Sequence, residues 1–276
     1  MRFAIIGAGA IAQLRKMAVD SMRDAAFAGV FDIDAARAAG FEDVFAQGII
    51  CTPPNTHAEL ATAAMNAGKH VVVEKPMAHS VAACNQMIAT AKATGKVLTV
   101  GFNHRYFAAI KEVRAAIDTG EIRQLLGPIP VVDLMQHLMG PVRSVYGKVL
   151  DKTWQLDRVE DNGYAILTGD TGVVGTLGAS WTEWKGYHFY IEAYGTKGMA
   201  RAYYAPMMST IVTMDRPGGA RKKRRNFYLP LILREKLKGW QSTASQTLTE
   251  ELTDFIALVA GRTDGRLATA ADGLRA

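Results

Sequence analysis

The sequence predicts an α/β protein: a doubly wound parallel domain followed by an α+β domain built on a mainly antiparallel sheet. Three observations point there. The first hundred residues alternate strand-length apolar runs with segments of helical period, the pattern of a parallel sheet covered on both faces. A glycine-rich turn follows the first run at once. Beyond Gly101 the helices thin out, and strand-like runs follow one another across short glycine turns, as in an antiparallel meander. A chain of 276 residues carries roughly two domains of ordinary size. We place them at 1–102 and 103–276.

The strand-like runs of the first domain are Arg2–Ile6, Phe27–Asp32, Gly48–Cys51, His70–Glu74 and Val97–Gly101. Between them, Thr56–Ala67 has helical period and opens on Thr56-x-x-Glu59, the spacing of a capping box. Ser80–Thr94 repeats Val81, Cys84, Ile88 and Ala91 at helical spacing, and Gly95 supplies a stop. In the second domain, helices are expected over Phe107–Thr119 and Val131–Met139. Strands are expected near Tyr164–Thr168, Val173–Trp181, His188–Tyr194 and Met199–Tyr204. Thr247–Ala260 carries an apolar stripe, Leu248, Leu252, Phe255, Ile256 and Val259, suited to packing on the second domain's sheet.

Gly7-Ala8-Gly9-Ala10-Ile11-Ala12 is a G-x-G-x-x-A turn between the first strand and a helix. Its first glycine permits the tight turn, its second lets backbone approach a pyrophosphate, and the small Ala12 lets helix and strand pack closely. The free N–H groups of that helix N-terminus, from Ala10 and Ile11 onward, suit phosphate. Asp32 ends the second run, 20 residues after Ala12, where a carboxylate accepts ribose hydroxyls and repels a 2′-phosphate. The cofactor expected is therefore NAD, with NADP left open because Arg37 lies near enough in sequence to receive a phosphate.

Composition excludes other classes. Hydrophobic residues make up 49% and charged residues 21%, ordinary for a soluble globular protein and far from disorder. No apolar run approaches the ~18 residues of a membrane span, and no secretory leader precedes Gly7, so a cytoplasmic protein is expected. Cys51 and Cys84 are too few for a disulfide framework and read as buried reduced thiols. The histidines show no metal-ligand spacing, so no metal is expected, and no Gly-x-Ser-x-Gly supports a hydrolase. The run Arg221-Lys222-Lys223-Arg224-Arg225 carries nearly all of the net charge of +6 and reads as a solvated loop. Trp181, Trp184, Tyr187 and Tyr190 cluster around a strand turn, as core or subunit-interface aromatics do.

Four further segments carry a family resemblance. They are Ile50-Cys51-Thr52-Pro53-Pro54-Asn55-Thr56-His57-Ala58-Glu59, Ala67-Gly68-Lys69-His70-Val71-Val72-Val73-Glu74-Lys75-Pro76, Val100-Gly101-Phe102-Asn103-His104-Arg105-Tyr106 and Tyr194-Gly195-Thr196-Lys197-Gly198. With the glycine turn they resemble the Gfo/Idh/MocA family of sugar and cyclitol oxidoreductases. The resemblance implies a Rossmann domain, a C-terminal α+β domain, a nicotinamide cofactor and hydride transfer at a hydroxyl or carbonyl carbon of a sugar, inositol or nucleotide-sugar. It implies a homo-oligomer; from the residues themselves, no membrane partner is expected, and a nucleic-acid partner is disfavoured because the basic run reads as a solvated loop.

Carried over residue by residue, the resemblance makes Lys75 the cation that polarises the reacting oxygen. Thr52 and Pro53 would line the cofactor crevice, with Asn55 and His57 near the nicotinamide ribose and Glu74 beside them. Asn103 and Arg105 would approach substrate or cofactor. The family's Asp-x-Gly-x-His-x-x-Asp stretch is imperfect here. In one register Asp133 and His137 supply its carboxylate and proton-transfer imidazole. In the other, Asp133 is its last aspartate and Pro130 stands in the histidine's place. The segment from Gly120 to Asp133 shows no strand of its own, although relatives begin their second domain with one. Two other readings remain beside the dehydrogenase: a catalytically silent NAD-binding protein, and a nucleic-acid-binding regulator using residues 221–225.

Overall fold

The structure, a computed structural model, describes residues 1–33, 47–123, 125–127, 132–150, 161–182, 188–216, 218–262 and 265–276. Chain contacts divide it into two compact units, residues 1–106 with 235–276, and residues 107–234.

The first unit begins β1 (Arg2–Ile6), α1 (Ala10–Ser21), β2 (Ala26–Phe31), β3 (Gln47–Ile50), α2 (His57–Asn66), β4 (His70–Glu74), α3 (Val81–Thr94) and β5 (Leu98–Gly101). The strands make one parallel sheet in the order β2-β1-β3-β4-β5. Phe3, Ala4 and Ile5 on β1 and Val71, Val72 and Val73 on β4 are all buried, because a parallel sheet is covered on both faces and needs continuous apolar runs. Ser80 caps α3 by accepting from the Ala83 amide at 3.2 Å, and Gly95 ends it at φ 65°. The capping box expected at Thr56 does not form. The Thr56 hydroxyl instead donates to the Pro53 carbonyl at 2.9 Å and shares a hydrogen bond with the Thr52 hydroxyl at 2.7 Å, closing the preceding turn.

The second unit runs α4 (Ala108–Asp118), β6 (Leu125–Gly127), α5 (Val132–Met139), β7 (Val142–Val149), β8 (Asn162–Gly169), β9 (Val174–Ser180), β10 (Phe189–Gly195), β11 (Gly198–Tyr204), β12 (Met208–Thr213), β13 (Lys222–Phe227) and α6 (Leu229–Lys238), the unit boundary falling within α6. Its strands pair antiparallel, as expected, and divide between two sheets, β13-β12-β11-β10-β6 and β7-β8-β9. β6 is a strand the sequence did not reveal: three residues pair with β10 inside the segment read as strandless. Too few residues are extended there to show a period. Ile110 and Val113 of α4 pack with Ala193, Ala200, Ala202 and Ile211 of the larger sheet.

The basic run is likewise not a loop. It forms the edge strand β13, paired with β12 from Lys222 opposite Thr213 to Phe227 opposite Met208. Successive residues of a strand point to opposite faces. Arg224 and Asn226 both reach Glu112 of α4, Arg224 Nη1 at 2.7 Å, and Arg224 also reaches Glu121 at 3.0 Å. Although burial works against ionisation, donors from Ser209, Tyr228, Asn226 and Arg224 hold the Glu112 carboxyl below its usual range. Charged side chains along an edge strand also discourage unwanted pairing.

The chain then re-enters the first unit with α7 (Gln241–Val259) and α8 (Ala270–Arg275). This revises the boundaries read from sequence: residues 103–106 and 235–276 belong with the dinucleotide fold. The apolar stripe of α7 does not pack on the antiparallel sheet. Leu248, Leu252 and Phe255 share a core with Phe3, Ile5, Ile49 and Val72, and the Phe3 and Phe255 rings lie 6.1 Å apart. The period showed which face is buried; it carries no information on which sheet receives it.

Candidate active site in the dinucleotide unit

In an open parallel sheet the crevice lies at the carboxyl ends of the strands, where the strand order reverses. Here that point is between β1 and β3, and the glycine turn and the Cys51–Thr56 loop leave the sheet side by side. Gly7 adopts φ 93° and donates to the Phe31 carbonyl at 2.7 Å. A Cβ on Gly7 would sit 2.8 Å from the Cys51 carbonyl carbon, so only glycine lets these loops approach. Gly9 is the opposite case: nothing lies within 4 Å of its missing Cβ, and its backbone is ordinary. It caps α1 with no side chain, leaving open space at a helix N-terminus. A pyrophosphate needs that combination of bare backbone and free amides, so the residues present fit a dinucleotide. Asp32 accepts from the Ala8 amide at 2.7 Å, which places its carboxylate beside the turn. Arg37 lies outside the described residues.

Along the same rim, Lys75 follows β4 directly, with an exposed side chain. Its neighbours have other tasks than the resemblance implied. Glu74 is buried and bound to Arg15, whose Nε lies 2.7 Å from Oε1. His57 is buried too, and its ring nitrogens face the Thr52 carbonyl at 2.8 Å and the Pro76 carbonyl at 3.1 Å. It braces one rim loop against the next, with neither nitrogen turned to a ligand. Asn103 donates to the Thr247 hydroxyl at 2.9 Å. Arg105 is buried toward the Arg266 carbonyl and Asp272. Both of these sit on a short 3₁₀ turn, Asn103–Tyr106, that the Tyr106–Asp254 hydrogen bond also ties to α7. Thr52 is half-buried, and Pro53 and Asn55 are exposed on the loop above β3. The structure therefore gathers Gly7, Gly9, Ala10, Ile11, Asp32, Thr52 and Lys75 at the rim and turns Glu74, His57, Asn103 and Arg105 inward.

Three residues escaped the sequence reading. Arg15 on α1 is fully buried and joins Glu74 to Glu251 of α7. Burial pushes the Glu251 carboxyl up to about 7, with Arg15 pulling it down and Glu74 repelling its charge. The signal was present: Arg15 stands among Ala12, Leu14, Ala18 and Val19, and Glu251 among Leu248, Leu252 and Phe255, charges set into apolar stripes. The third is His104, whose imidazole is pushed down to about 4 by burial and the nearby charge of Lys75. It is neutral at ordinary pH. Cys51 and Cys84 are unpaired buried thiols, and burial pushes Cys51 up to about 12, which leaves it unreactive.

In the second unit, Asp133 and His137 lie one turn apart on α5, so they share a face. Asp133 is buried and His137 half-buried, and the His137 carbonyl accepts from Arg114. Pro130, which decides between the two registers, lies outside the described residues. Of the aromatic cluster, Trp181 and Tyr190 are exposed rather than core, and residues 183–187 are outside the described set. No helix is long and apolar enough to cross a membrane among the described residues.

Two family profiles match the chain, overlapping over residues 82–102. "Oxidoreductase family, NAD-binding Rossmann fold" matches residues 47–102, and "GFO/IDH/MocA C-terminal domain" matches residues 82–201. The chain belongs to the Gfo/Idh/MocA family of NAD-binding oxidoreductases. It is 28% identical to the inositol 2-dehydrogenase of Rhizobium meliloti, over 83% of each chain. It is 46% identical to the 1-carboxy-3-chloro-3,4-dihydroxycyclohexa-1,5-diene dehydrogenase of Comamonas testosteroni, over 51% of this chain and 42% of that one. Its fold matches that of an oxidoreductase from Agrobacterium radiobacter with a TM-score of 0.85 at 17% identity, covering all of this chain and 92% of the other.

The two rim glycines are separable by experiment. Gly9→Val is expected to change stability by no more than about 1 kcal/mol while weakening NADH binding at least ~10-fold, measured by fluorescence titration. Gly7→Ala, forced against Cys51 in a left-handed conformation, is expected to lower the melting temperature as well. Glu251 predicts a pH effect on stability. Its folded value lies above that of a free carboxyl, so the folded state holds the extra proton and its contribution is complete below about pH 4.5. Stability is expected to decline as pH rises from there through about 7, and Glu251→Gln to flatten that decline in urea denaturation.

Proposed function

We propose that this chain is an NAD-dependent dehydrogenase acting on CH–OH groups, moving a hydride between nicotinamide and a carbon of a polyol, inositol, sugar or nucleotide-sugar. The observation that carries this reading is the rim of the dinucleotide unit, where an open glycine cradle, Asp32 and an exposed Lys75 stand together. Similarity to the inositol 2-dehydrogenase supports the polyol class. The levoglucosan dehydrogenase and the UDP-GlcNAcA-bound dehydrogenase WlbA share its fold.

Bound NAD supplies the hydride acceptor, or as NADH the donor. The chain's own residues do the rest. The backbone at Gly7, Gly9, Ala10 and Ile11 receives the pyrophosphate, and Asp32 accepts ribose hydroxyls and disfavours a 2′-phosphate. The Lys75 ammonium steadies negative charge growing on the substrate oxygen as its carbon loses hydride. His137 takes the hydroxyl proton, oriented by Asp133. Substrate reaches Lys75 with Asn103 and Arg105 shaping the turn beside it.

The protein also assembles with a second copy of itself through its open sheet faces. Tyr146, Tyr164, Ile166 and Val174 share one exposed face of β7-β8-β9, an apolar surface suited to a symmetric partner.

Following reduced-nicotinamide absorbance with myo-inositol, glucose 6-phosphate, levoglucosan and a UDP-sugar is expected to reveal turnover with at least one of them. Lys75→Met should lower kcat at least ~100-fold, the scale of losing an oxyanion donor. His137→Ala should abolish turnover and spare NAD binding; near-normal turnover would remove it from the mechanism. A chain that binds NADH but turns over none of a wide panel would instead be the silent NAD-binding protein. Light scattering should give at least a dimer, and Tyr146→Arg with Ile166→Arg should shift it to monomer.

A further inference from the structure

We propose that Arg15, Glu74 and Glu251 are positioning residues for Lys75, a buried clamp that fixes the end of β4 against the glycine-turn helix and α7. The proposal rests on the dehydrogenase reading and adds residues that do not touch the reacting atoms. Lys75 carries its cation on a long, exposed side chain, so its aim depends on how firmly its backbone is held. Glu74 holds it. Arg15 Nε donates to one carboxylate oxygen, Oε1, at 2.7 Å, and Nη2 forms an ion pair with the same oxygen at 2.6 Å. The other, Oε2, accepts from the Lys75 amide itself at 3.4 Å. The far side of the guanidinium, Nη1, meets Glu251.

The neighbouring backbone makes room for this arrangement. Gly101 pairs with Glu74 across the β4–β5 ladder, and a Cβ there would overlap Arg15 Nη2 and crowd both Glu74 oxygens at 3.2 Å. Beyond Lys75, His57 holds the Pro76 and Met77 carbonyls. The lysine backbone is thus braced on both sides while its side chain alone reaches out.

Stability by itself is a poor explanation of such a clamp. A buried ion pair is commonly matched or bettered by apolar groups of the same shape, because desolvating the charges cancels most of their attraction. Its use is then to fix one geometry. The cradle begins on the helix that bears Arg15, so the clamp sets Lys75 in register with the bound dinucleotide.

The test compares single variants with a variant that removes every charge at once. Arg15→Met alone leaves two buried carboxylates and is expected to unfold easily. Arg15→Met/Glu74→Gln/Glu251→Gln keeps shape without charge and is expected to keep the native melting temperature and an NADH Kd within ~3-fold of native. The readout is acetylation of Lys75 by sulfosuccinimidyl acetate, quantified by peptide mass spectrometry against the exposed Lys92, with and without saturating NADH. In the native chain NADH should slow Lys75 acetylation at least ~10-fold. In the triple variant that protection should fall below ~2-fold, although NADH still binds. Native-like protection in a folded, NADH-binding triple variant would overturn the positioning role, as would a triple variant that does not fold, which would make the clamp structural. A native chain that does not bind NADH would overturn the dehydrogenase reading, and the clamp's role with it.

Discussion

One buried guanidinium organises the dinucleotide unit. Arg15 is the meeting point of α1, the end of β4 and α7, segments separated by up to 236 positions in the chain. Removing its charge would strand two carboxylates in the interior, the most expensive kind of core defect. The geometry around it follows from that requirement. A side chain at Gly101 would overlap the guanidinium, and one of its counter-charges comes from α7, whose apolar stripe packs into the core of the same unit. Burial raises the Glu251 carboxyl above its usual range, which eases the excess negative charge around Arg15.

Much of this was legible in the sequence, and what was missed has a physical reason. The five parallel strands, the glycine turn, Asp32 and the rim position of Lys75 all follow from local pattern: apolar run, bend, helix. The stop at Gly95 is equally local. The capping box at Thr56 failed because its backbone is already helical, φ −102° and ψ −10°, where a capping residue needs an extended one. The placement of α7 was not readable, since a helical stripe of Leu248, Leu252 and Phe255 fits any apolar sheet. β6 was missed because a three-residue edge strand has no period. β13 was missed because five consecutive cations look solvated, and they are exposed on the edge strand too, where alternation brings Arg224 across to Glu112.

That last point also changes how the net charge is read. A basic run in a loop would present a compact cationic patch of the kind that meets polyanions. On an edge strand part of it is engaged by Glu112 and Glu121, and the remainder guards a line of unpaired backbone groups against the wrong partner. Arg224, in the middle of the run, is therefore paired within the fold rather than presented to a polyanion. The glycine cradle, which owes its affinity for anions to free amides and a helix N-terminus, needs no surplus of lysine to hold a pyrophosphate.

Lys75 and its motif neighbours differ in burial and in how their polar atoms are engaged. Glu74, His57, Asn103 and Arg105 all belong to segments that carry the family resemblance, and each has its polar atoms engaged by other parts of the same unit. Lys75 is exposed. A side chain whose hydrogen-bonding capacity is spent internally has little left for a ligand, whereas one left exposed on a braced backbone can answer charge that appears only during reaction. Burial thus divides the motif into a scaffold and an instrument, a division the sequence alone does not reveal because both sets are polar and adjacent. An ammonium on four methylenes is only as well aimed as the peptide that carries it, so a braced backbone at Lys75 limits where its charge can go.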